Sequence, residues 1–277
     1  MSMLDRRQVF GLGAGGLALV AMGPAAAADT PVQGPLTQGA LLRGQTVPGA
    51  VVLADGRRLR VSGNGHYVFG VAWDRKTPIR LSVQAPGAQA ESFSLPIAIR
   101  EYRVQRINQL PGKFVTPDKS VAARIKRDNQ LIGAARAHDT NEEWFAGEFA
   151  WPVRGTITGV YGSRRILNGE ERQPHYGIDV AAAEGTPLLA PQGAIVRMAE
   201  KDLYYTGGTV ILDHGFGVST SYLHLSRLDV AVGQTLAKGD LIGLVGKTGR
   251  ATGPHLCWRL NWFKERLDAS LIVPKMA

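Results

Sequence analysis

Closely spaced glycines constrain the C-terminal half of this chain more than any other feature. The sequence contains 34 glycines and 15 prolines among 277 residues, and from Phe149 onward glycine returns at short, irregular intervals. Between the glycines lie short apolar runs, such as residues 194–196, 209–212 and 241–245. Short apolar runs bounded by turn residues are typical of strands. We therefore expect residues 149–277 to form a compact antiparallel β-domain, and the irregular spacing argues against a solenoid repeat.

Residues 29–100 contain a second series of short strands. Asp55-Gly56 and Asn64-Gly65 separate apolar runs, which is a hairpin signal. Residues 79–83 and 91–95 alternate with the period of half-buried strands. An Ig-like β-sandwich is the simplest architecture for this segment. We find no catalytic motif in it.

Residues 101–148 are expected to connect the two β regions and to contain a helix. Thr116 is the expected N-cap and Pro117 the first helical residue. Apolar residues at helical spacing then continue to His138, which predicts a connector helix lying on one of the domains.

Residues 1–28 have the layout of a secretory signal peptide. A basic Arg6-Arg7 pair precedes an uncharged apolar run, residues 10–22, and a proline with four alanines follows. The run is too short to span a bilayer, so we expect no transmembrane segment after signal removal. The paired arginines resemble a twin-arginine signal, although Asp5 is not the usual preceding residue, and an ordinary Sec signal is the alternative. Both alternatives predict an exported protein.

The charge of the chain indicates the kind of surface that it contacts. The formal net charge is +9, and removal of Asp5, Arg6 and Arg7 with the signal leaves +8. A basic exported protein suits a polyanionic surface such as a cell wall or anionic lipid. The basic residues are scattered without a nucleic-acid-binding motif, so nucleic acid is not an expected partner. A single cysteine excludes an intramolecular disulfide.

Five residues of the C-terminal region carry the potential chemistry. His175 and Asp179 lie in a His-Tyr-Gly-Ile-Asp stretch, His224 in Tyr-Leu-His-Leu, and His255 and Cys257 in His-Leu-Cys-Trp. Imidazole, carboxylate and thiolate groups are all zinc ligands, and a further histidine is available as a base.

Strand alternation predicts that His175 shares a face with Asp179, and His255 with Cys257. The same reasoning places His224 on one face with Tyr222. The apolar residues between them would then face a core and hold the polar groups rigidly.

The segment 150–273 resembles the lysostaphin/LytM-type zinc endopeptidase domain, with its landmarks in family order. The stretches that carry the resemblance are Tyr161-Gly162-Ser163-Arg164, His175-Tyr176-Gly177-Ile178-Asp179, residues 185–190, Asp213-His214-Gly215, residues 222–226 and residues 252–256. His214 matches a family position outside the catalytic set and is interpreted as structural.

This resemblance implies a groove on a small, barrel-sandwich-like antiparallel β-domain that binds peptidoglycan peptides. It implies that His175 and Asp179 are ligands of one zinc ion per chain. His224 and His255 would be the unliganded catalytic pair, which polarises the attacking water and stabilises the oxyanion. Cys257 stands where the family has its third ligand, the last histidine of His-x-His.

Cys257 leaves three functional interpretations open. In the first, it is a thiolate ligand, so that carboxylate and thiolate together neutralise the zinc charge, and the pH optimum becomes more alkaline than in all-histidine relatives. In the second, the site is degenerate and the domain is a LytM-like regulator that activates cell-wall amidases. In the third, Cys257 is the nucleophile of a cysteine peptidase, which leaves His175 and Asp179 without a role.

We adopt the first interpretation. The sequence predicts an exported, mainly β, two-domain zinc endopeptidase that hydrolyses peptide cross-links of peptidoglycan. The expected partners are peptidoglycan peptides and other cell-wall enzymes, and the expected compartment is the periplasm.

Overall fold

The secondary structure is that of a mainly β protein, as the glycine-punctuated sequence predicts. The computed structural model describes residues 31–109 and 112–276. The predicted signal peptide, residues 1–28, lies outside the described residues. Within the described part of the chain, no helix has the length and apolarity needed to cross a membrane.

The N-terminal region contains six strands in two antiparallel sheets. The strands are β1 (Leu41–Gln45), β2 (Val51–Ala54), β3 (Arg57–Leu59), β4 (His66–Gly70), β5 (Ile79–Gln84) and β6 (Glu91–Leu95). Strand β1 pairs with β4, and the second sheet has the order β3-β2-β5-β6. Asp55 and Gly56 have φ angles of 48° and 79° and join β2 to β3, so the predicted hairpin is confirmed there.

The second hairpin signal in this region is wrong. Asn64-Gly65 forms a turn, but β4 after it pairs with β1 rather than with β3. A turn signal identifies where the chain reverses, and the pairing of the strands depends on the core that they share. The sheets of two and four strands do not confirm the Ig-like arrangement, which stays a prediction.

The connector contains one strand and helical segments. They are β7 (Val104–Ile107), α1 (Gly112–Val115), a 3-10 turn (Lys119–Val121), α2 (Ala122–Ala135) and a second 3-10 turn (Trp144–Ala146). Strand β7 was not expected from the sequence.

The predicted helix start at Thr116 and Pro117 and the helix end at His138 are wrong. Asp118 caps the 3-10 turn that leads into α2, where its side chain accepts a hydrogen bond from the Ser120 backbone N–H, and α2 itself extends from Ala122 to Ala135. The carboxylate is a better acceptor for the free N–H groups of the first turn than an upstream threonine that lies before proline. The helix does lie on the C-terminal region, where Ala135 packs with Met198, Leu203 and Ile211.

The C-terminal region contains the remaining strands. They are β8 (Thr156–Gly159), β9 (Arg164–Leu167), β10 (Glu170–Arg172), β11 (Ile178–Ala181), β12 (Pro187–Leu189), β13 (Ala194–Leu203), β14 (Gly207–Asp213), β15 (Val218–Leu225), β16 (Arg227–Leu228), β17 (Thr235–Leu236), β18 (Leu241–Leu244), β19 (His255–Trp262) and β20 (Glu265–Leu267), followed by a 3-10 turn (Ala269–Leu271). The main sheet has the order β17-β13-β14-β15-β19-β11-β8, with β20 on β19. A smaller sheet has the order β12-β18-β16.

A third sheet links the connector to the C-terminal region. Its order is β10-β9-β7, and β7 runs parallel to β9 with Gln105 opposite Arg165. Parallel neighbours need a long connection between them, and here residues 108–163 supply it. A strand from outside the predicted peptidase segment therefore completes a sheet beside the site described below.

The N-terminal region packs directly on the main sheet. Arg57 stacks over the Trp262 ring at 4.5 Å, and Arg100 forms an ion pair of 2.8 Å with the buried Asp268. Gly70 lies against Leu267, where a Cβ would approach the leucine methyl groups to 3.0 Å. The segment Pro31–Ala277 forms one compact unit. The predicted boundaries at residues 100 and 149 stay a prediction.

Candidate metal centre

Three neighbouring strands, β15, β19 and β11, bring the candidate site residues together. Asp179 on β11 lies directly opposite Cys257 on β19, so the two side chains project from the same face of the sheet. Leu256 and Trp258 point to the other face and are fully buried in the core. The alternation expected for β19 is therefore observed, and it aims the thiol at the carboxylate.

His175 reaches the same point from the loop that precedes β11. Its Nε2 lies 3.1 Å from Asp179 Oδ1 and 3.3 Å from Cys257 Sγ. Gly177 makes this close approach possible, because a Cβ there would lie 2.9 Å from the sulfur. The prediction that His175 and Asp179 lie on one face of the same strand is wrong, because β11 begins only at Ile178 and His175 lies in the loop before it. The loop still places the imidazole beside the carboxylate.

His224 faces the site through a β-bulge that the sequence did not reveal. Between the pairs Gly208–Leu225 and Val210–Tyr222, β15 contains one residue more than β14, and His224 has a φ of 70°. Tyr222 is fully buried in the core and pairs with Trp258, so the predicted shared face of His224 and Tyr222 is wrong. The bulge re-aims the histidine at the cleft.

His224 and His255 form a pair beside the three candidate ligands. Their ring centroids are 4.7 Å apart, and His255 Nε2 lies 3.9 Å from Asp179 Oδ1. Each Nδ1 is 2.8 Å from a backbone carbonyl, that of Thr248 for His224 and that of Gly253 for His255. A carbonyl oxygen only accepts, so each Nδ1 carries a proton and donates it. In the neutral rings, Nε2 is then the atom that can accept a proton.

Burial controls the charge states in this cluster. Burial and the neighbouring charge of His255 lower the pKa of His224 to about 3, so its ring is neutral at neutral pH. Burial and the Asp179 charge raise the pKa of Cys257 to about 12. Burial would raise the pKa of Asp179, but the neighbouring His175 ring and the positive charge of Arg165 hold it well below its usual range. A bound cation would reverse the preference of the thiol and favour thiolate.

The three candidate ligands fit a zinc ion. The ligand atoms of His175, Asp179 and Cys257 lie within 4.8 Å of one another, and all three residues are buried. Donor atoms 2.0–2.3 Å from a tetrahedral zinc lie about 3.3–3.7 Å apart, close to the 3.1 and 3.3 Å observed. Asp179 Oδ1 is buried without a hydrogen-bond donor in the described part of the chain. Nitrogen, oxygen and sulfur donors together suit zinc rather than magnesium or calcium.

Arg165 is a site residue that sequence reasoning missed. Its Nη2 lies 3.2 Å from Asp179 Oδ2, the carboxylate oxygen that does not face His175. The contact depends on the β9–β10 hairpin folding over the cleft, and no spacing in the sequence relates the two residues. This arginine fixes the orientation of the carboxylate, a role that often decides metal affinity.

The remaining histidines lie outside the cluster. His66 Nδ1 lies 2.6 Å from Glu143 Oε2, and His138 is exposed. His214 is fully buried, with Nδ1 2.8 Å from the Gly193 carbonyl and Nε2 2.8 Å from the Thr220 hydroxyl. The partner of His66 is distant in sequence, which is why sequence reasoning did not find it.

The cluster opens onto a cleft of about 320 Å³. Its walls come from the main sheet, from the loop around Pro254 and from Gln105 and Ile107 of β7. The connector thus forms part of the wall of the cleft.

Residues 173–269 match the model of peptidase family M23. This segment of the chain is therefore similar to the catalytic domains of that family. The matched segment includes all five residues of the cluster. The predicted resemblance to lysostaphin/LytM-type peptidases and the mainly β fold class are confirmed.

Two curated proteins that are similar to this segment have names that describe peptidases, and one of these names specifies peptidoglycan. Peptidoglycan DD-endopeptidase ShyA of Vibrio cholerae is 33% identical over 174 residues, which are 59% of this chain and 39% of the relative. DD-carboxypeptidase/endopeptidase Mpg of Neisseria meningitidis serogroup B is 44% identical over 82 residues, which are 30% of this chain and 19% of the relative. The matched segments thus span well under half the length of these relatives.

A solved structure resembles more of the chain. It is a putative peptidase M23 from Pseudomonas aeruginosa, 27% identical, with a TM-score of 0.65, and the match covers 86% of this chain and 95% of that one. Coverage of this size includes much of the N-terminal region as well as the segment that matches the M23 model.

Proposed function

We propose that this protein is a zinc endopeptidase that hydrolyses the peptide cross-links of peptidoglycan. The observation that carries the proposal is the convergence of His175, Asp179 and Cys257 beside the His224–His255 pair in one cleft. The M23 match and the names of the two relatives support the reaction class and the substrate class.

His175, Asp179 and Cys257 would hold the metal. When bound, zinc acts as a Lewis acid that polarises a peptide carbonyl and acidifies a water molecule. Arg165 holds the second oxygen of Asp179, so that Oδ1 stays aimed at His175 and the metal position. Gly177 keeps the loop of His175 close to β19.

The histidine pair would move the protons. Because the Thr248 and Gly253 carbonyls fix a proton on each Nδ1, Nε2 is the acceptor atom of each neutral ring, and His255 is the one of the two that would accept a proton. The His224 ring is neutral over the physiological range, since burial strongly lowers its pKa. After accepting the proton, His255 can donate it to the leaving amine or to the oxyanion.

We further propose that the protein works in the periplasm on peptidoglycan peptides, alongside other cell-wall enzymes. The N-terminal sequence resembling a secretory signal and the basic net charge support export to an acidic polymer. No structural observation favours the regulator interpretation, and it becomes an outcome of the test.

The test is digestion of purified peptidoglycan by the zinc-loaded protein, with the products identified by mass spectrometry. We expect new peptide ends from the wild type and none from His255→Ala. His138→Ala is the matched control, because His138 is exposed and lies outside the cluster. EDTA should abolish activity, and a thiol peptidase would survive EDTA. Stoichiometric zinc without new peptide ends would reject the proposal, and the absence of both zinc and cleavage would favour the degenerate regulator.

A further inference from the structure

Two of the three candidate ligands, Asp179 and Cys257, would be anions in a zinc-bound site. Both residues are buried, and a buried anion is unfavourable unless a cation or a hydrogen-bond donor accompanies it. Asp179 has such a partner, because Arg165 Nη2 lies 3.2 Å from its Oδ2. A thiolate at Cys257 would need a partner of its own, whereas a neutral histidine ligand would not.

Arg259 lies beside Cys257 on β19. The two residues occupy alternate positions of the strand, so both side chains project from the face that carries the cluster. A Cβ at Gly177 would lie 2.9 Å from Cys257 Sγ and 3.0 Å from Arg259 Cγ. The sulfur and the aliphatic stem of the arginine therefore border the same small space.

The guanidinium group of Arg259 has a donor available for the sulfur. Its Nε is buried without a hydrogen-bond acceptor, which is unfavourable for an N–H group. Asp179 is the one acidic side chain among the described residues that line the cleft, and it lies against Arg165 and His175 instead. Burial and the Asp179 charge raise the pKa of Cys257, and the neighbouring charges of Arg259 and Arg165 act in the opposite direction.

We propose that Arg259 is a positioning residue that stabilises Cys257 as the thiolate ligand of zinc. This inference rests on the zinc site of the proposed function and deepens it. The N–H donors of Arg259 would hold the sulfur toward the metal position, as Arg165 holds the carboxylate of Asp179. A donor beside a metal-bound thiolate also withdraws charge from the sulfur, so Arg259 offsets part of the charge that the thiolate gives to the metal.

The net charge of the site determines the sign of the effect. With Asp179 and Cys257 as ligands, the zinc site is neutral, and the adjacent thiolate attracts the guanidinium group of Arg259. With histidine in place of Cys257, the site keeps one positive charge and repels the same arginine. Removal of Arg259 should therefore weaken zinc binding when the ligand is cysteine and should not weaken it when the ligand is histidine.

The test is a double-mutant cycle of zinc affinity, measured at one pH by competition with a chromophoric chelator. Arg259→Gln should weaken zinc binding about 10- to 100-fold in the protein with Cys257, the usual effect of losing a partner of a metal ligand. In the Cys257→His background the same substitution should leave zinc affinity unchanged or raise it. Arg259→Lys keeps the positive charge and should recover part of the loss.

The controls separate this role from support of the strand and from overall charge. Arg154→Gln removes one exposed arginine outside the cleft and should bind zinc like the wild type. Urea unfolding of the zinc-free proteins checks that each variant is folded, and Arg259→Met repeats the cycle if the glutamine variant is not. Equal losses of zinc affinity in both backgrounds, or wild-type affinity in Arg259→Gln, would overturn the inference.

Digestion of peptidoglycan distinguishes failure of this inference from failure of the proposed function. The expected coupling of Arg259 with Cys257, without new peptide ends from the wild type, would reject the endopeptidase activity and keep the role of Arg259. New peptide ends without the coupling would reject the role of Arg259 alone. A wild type that binds no zinc would reject both.

Discussion

Gly177→Ala is a substitution whose effect on zinc binding can be worked out from the structure. The added Cβ would lie 2.9 Å from Cys257 Sγ, 3.0 Å from Arg259 Cγ and 3.0 Å from the Trp258 carbonyl oxygen. These separations are about 0.5 Å shorter than ordinary van der Waals contacts. The Trp258 oxygen belongs to the backbone of the central strand β19 and cannot move aside. The loop that carries His175 must therefore move away from β19.

The cost of this movement should appear mainly in metal affinity. Overpacking of a tight site costs about 1–3 kcal/mol. In the zinc-free protein the loop can relax and avoid much of that cost, whereas zinc requires His175 beside Cys257, at the 3.3 Å observed. We expect zinc affinity to fall by roughly 10- to 100-fold, which corresponds to about 1.4–2.8 kcal/mol. The zinc-free protein should lose less than about 1 kcal/mol of unfolding free energy.

Competition with a chromophoric chelator measures the affinity, and urea unfolding of the zinc-free protein measures the stability. Gly253→Ala is the matched control, because a Cβ at Gly253 meets no atom within 4 Å and its φ is not positive. That variant should bind zinc like the wild type. Wild-type zinc affinity in Gly177→Ala would refute the argument that glycine is required for the close approach of the loop. A large loss of unfolding free energy in the zinc-free variant, with a zinc affinity equal to that of the wild type, would also refute it.

Three further predictions concern stability in acid, the position of the loop that carries His175, and the pH dependence of catalysis. Burial lowers the pKa of His214 to about 4, below its usual 6.5, so the stability that the neutral ring contributes is fully present above pH 6.5, and about 3 kcal/mol of it is lost by pH 4. In urea unfolding, His214→Gln should lack this acid-dependent loss. Parallel curves of unfolding free energy against pH for the two proteins would contradict the prediction. The Trp73 ring packs edge-on against Tyr176, with 6.0 Å between the ring centroids, and Tyr176 is next to His175 in the chain. Trp73→Ala should therefore lower the unfolding free energy by about 2 kcal/mol and weaken zinc binding. Unchanged zinc affinity in the chelator competition would show that the aromatic contact does not position the loop. Cys257→His removes a negative ligand, so the rising limb of its kcat/KM profile should move to lower pH than in the wild type; coincident profiles would reject that reasoning.

The sequence predicts the strands of this protein better than their partners. Glycine turns and apolar runs are local features, and they correctly indicate a mainly β chain and an Asp55-Gly56 hairpin. Strand β7 and the pairing of β4 with β1 depend on contacts between distant residues, which spacing alone does not determine. The N-cap could not be chosen from the sequence either, because Thr116 and Asp118 are both residue types that are preferred at that position.

The candidate site shows a similar division. The residue types and the resemblance identify His175, Asp179, His224, His255 and Cys257, and the structure brings all five into one cleft. Simple alternation fails at His224, because a bulge adds one residue to β15 and reverses the side of the sheet that the following residue faces. Alternation also cannot predict Arg165, whose contact with Asp179 joins two sheets.

The parallel pairing of β7 with β9 has a consequence for how this protein can be divided. A fragment that begins at residue 149 would include every residue of the M23 match but would lose the strand that contributes Gln105 and Ile107 to the cleft. Its β9 would become an unprotected edge, with backbone groups free to pair with a second molecule. The smallest piece that keeps an intact cleft therefore begins before Val104, well upstream of the segment that matches the family model.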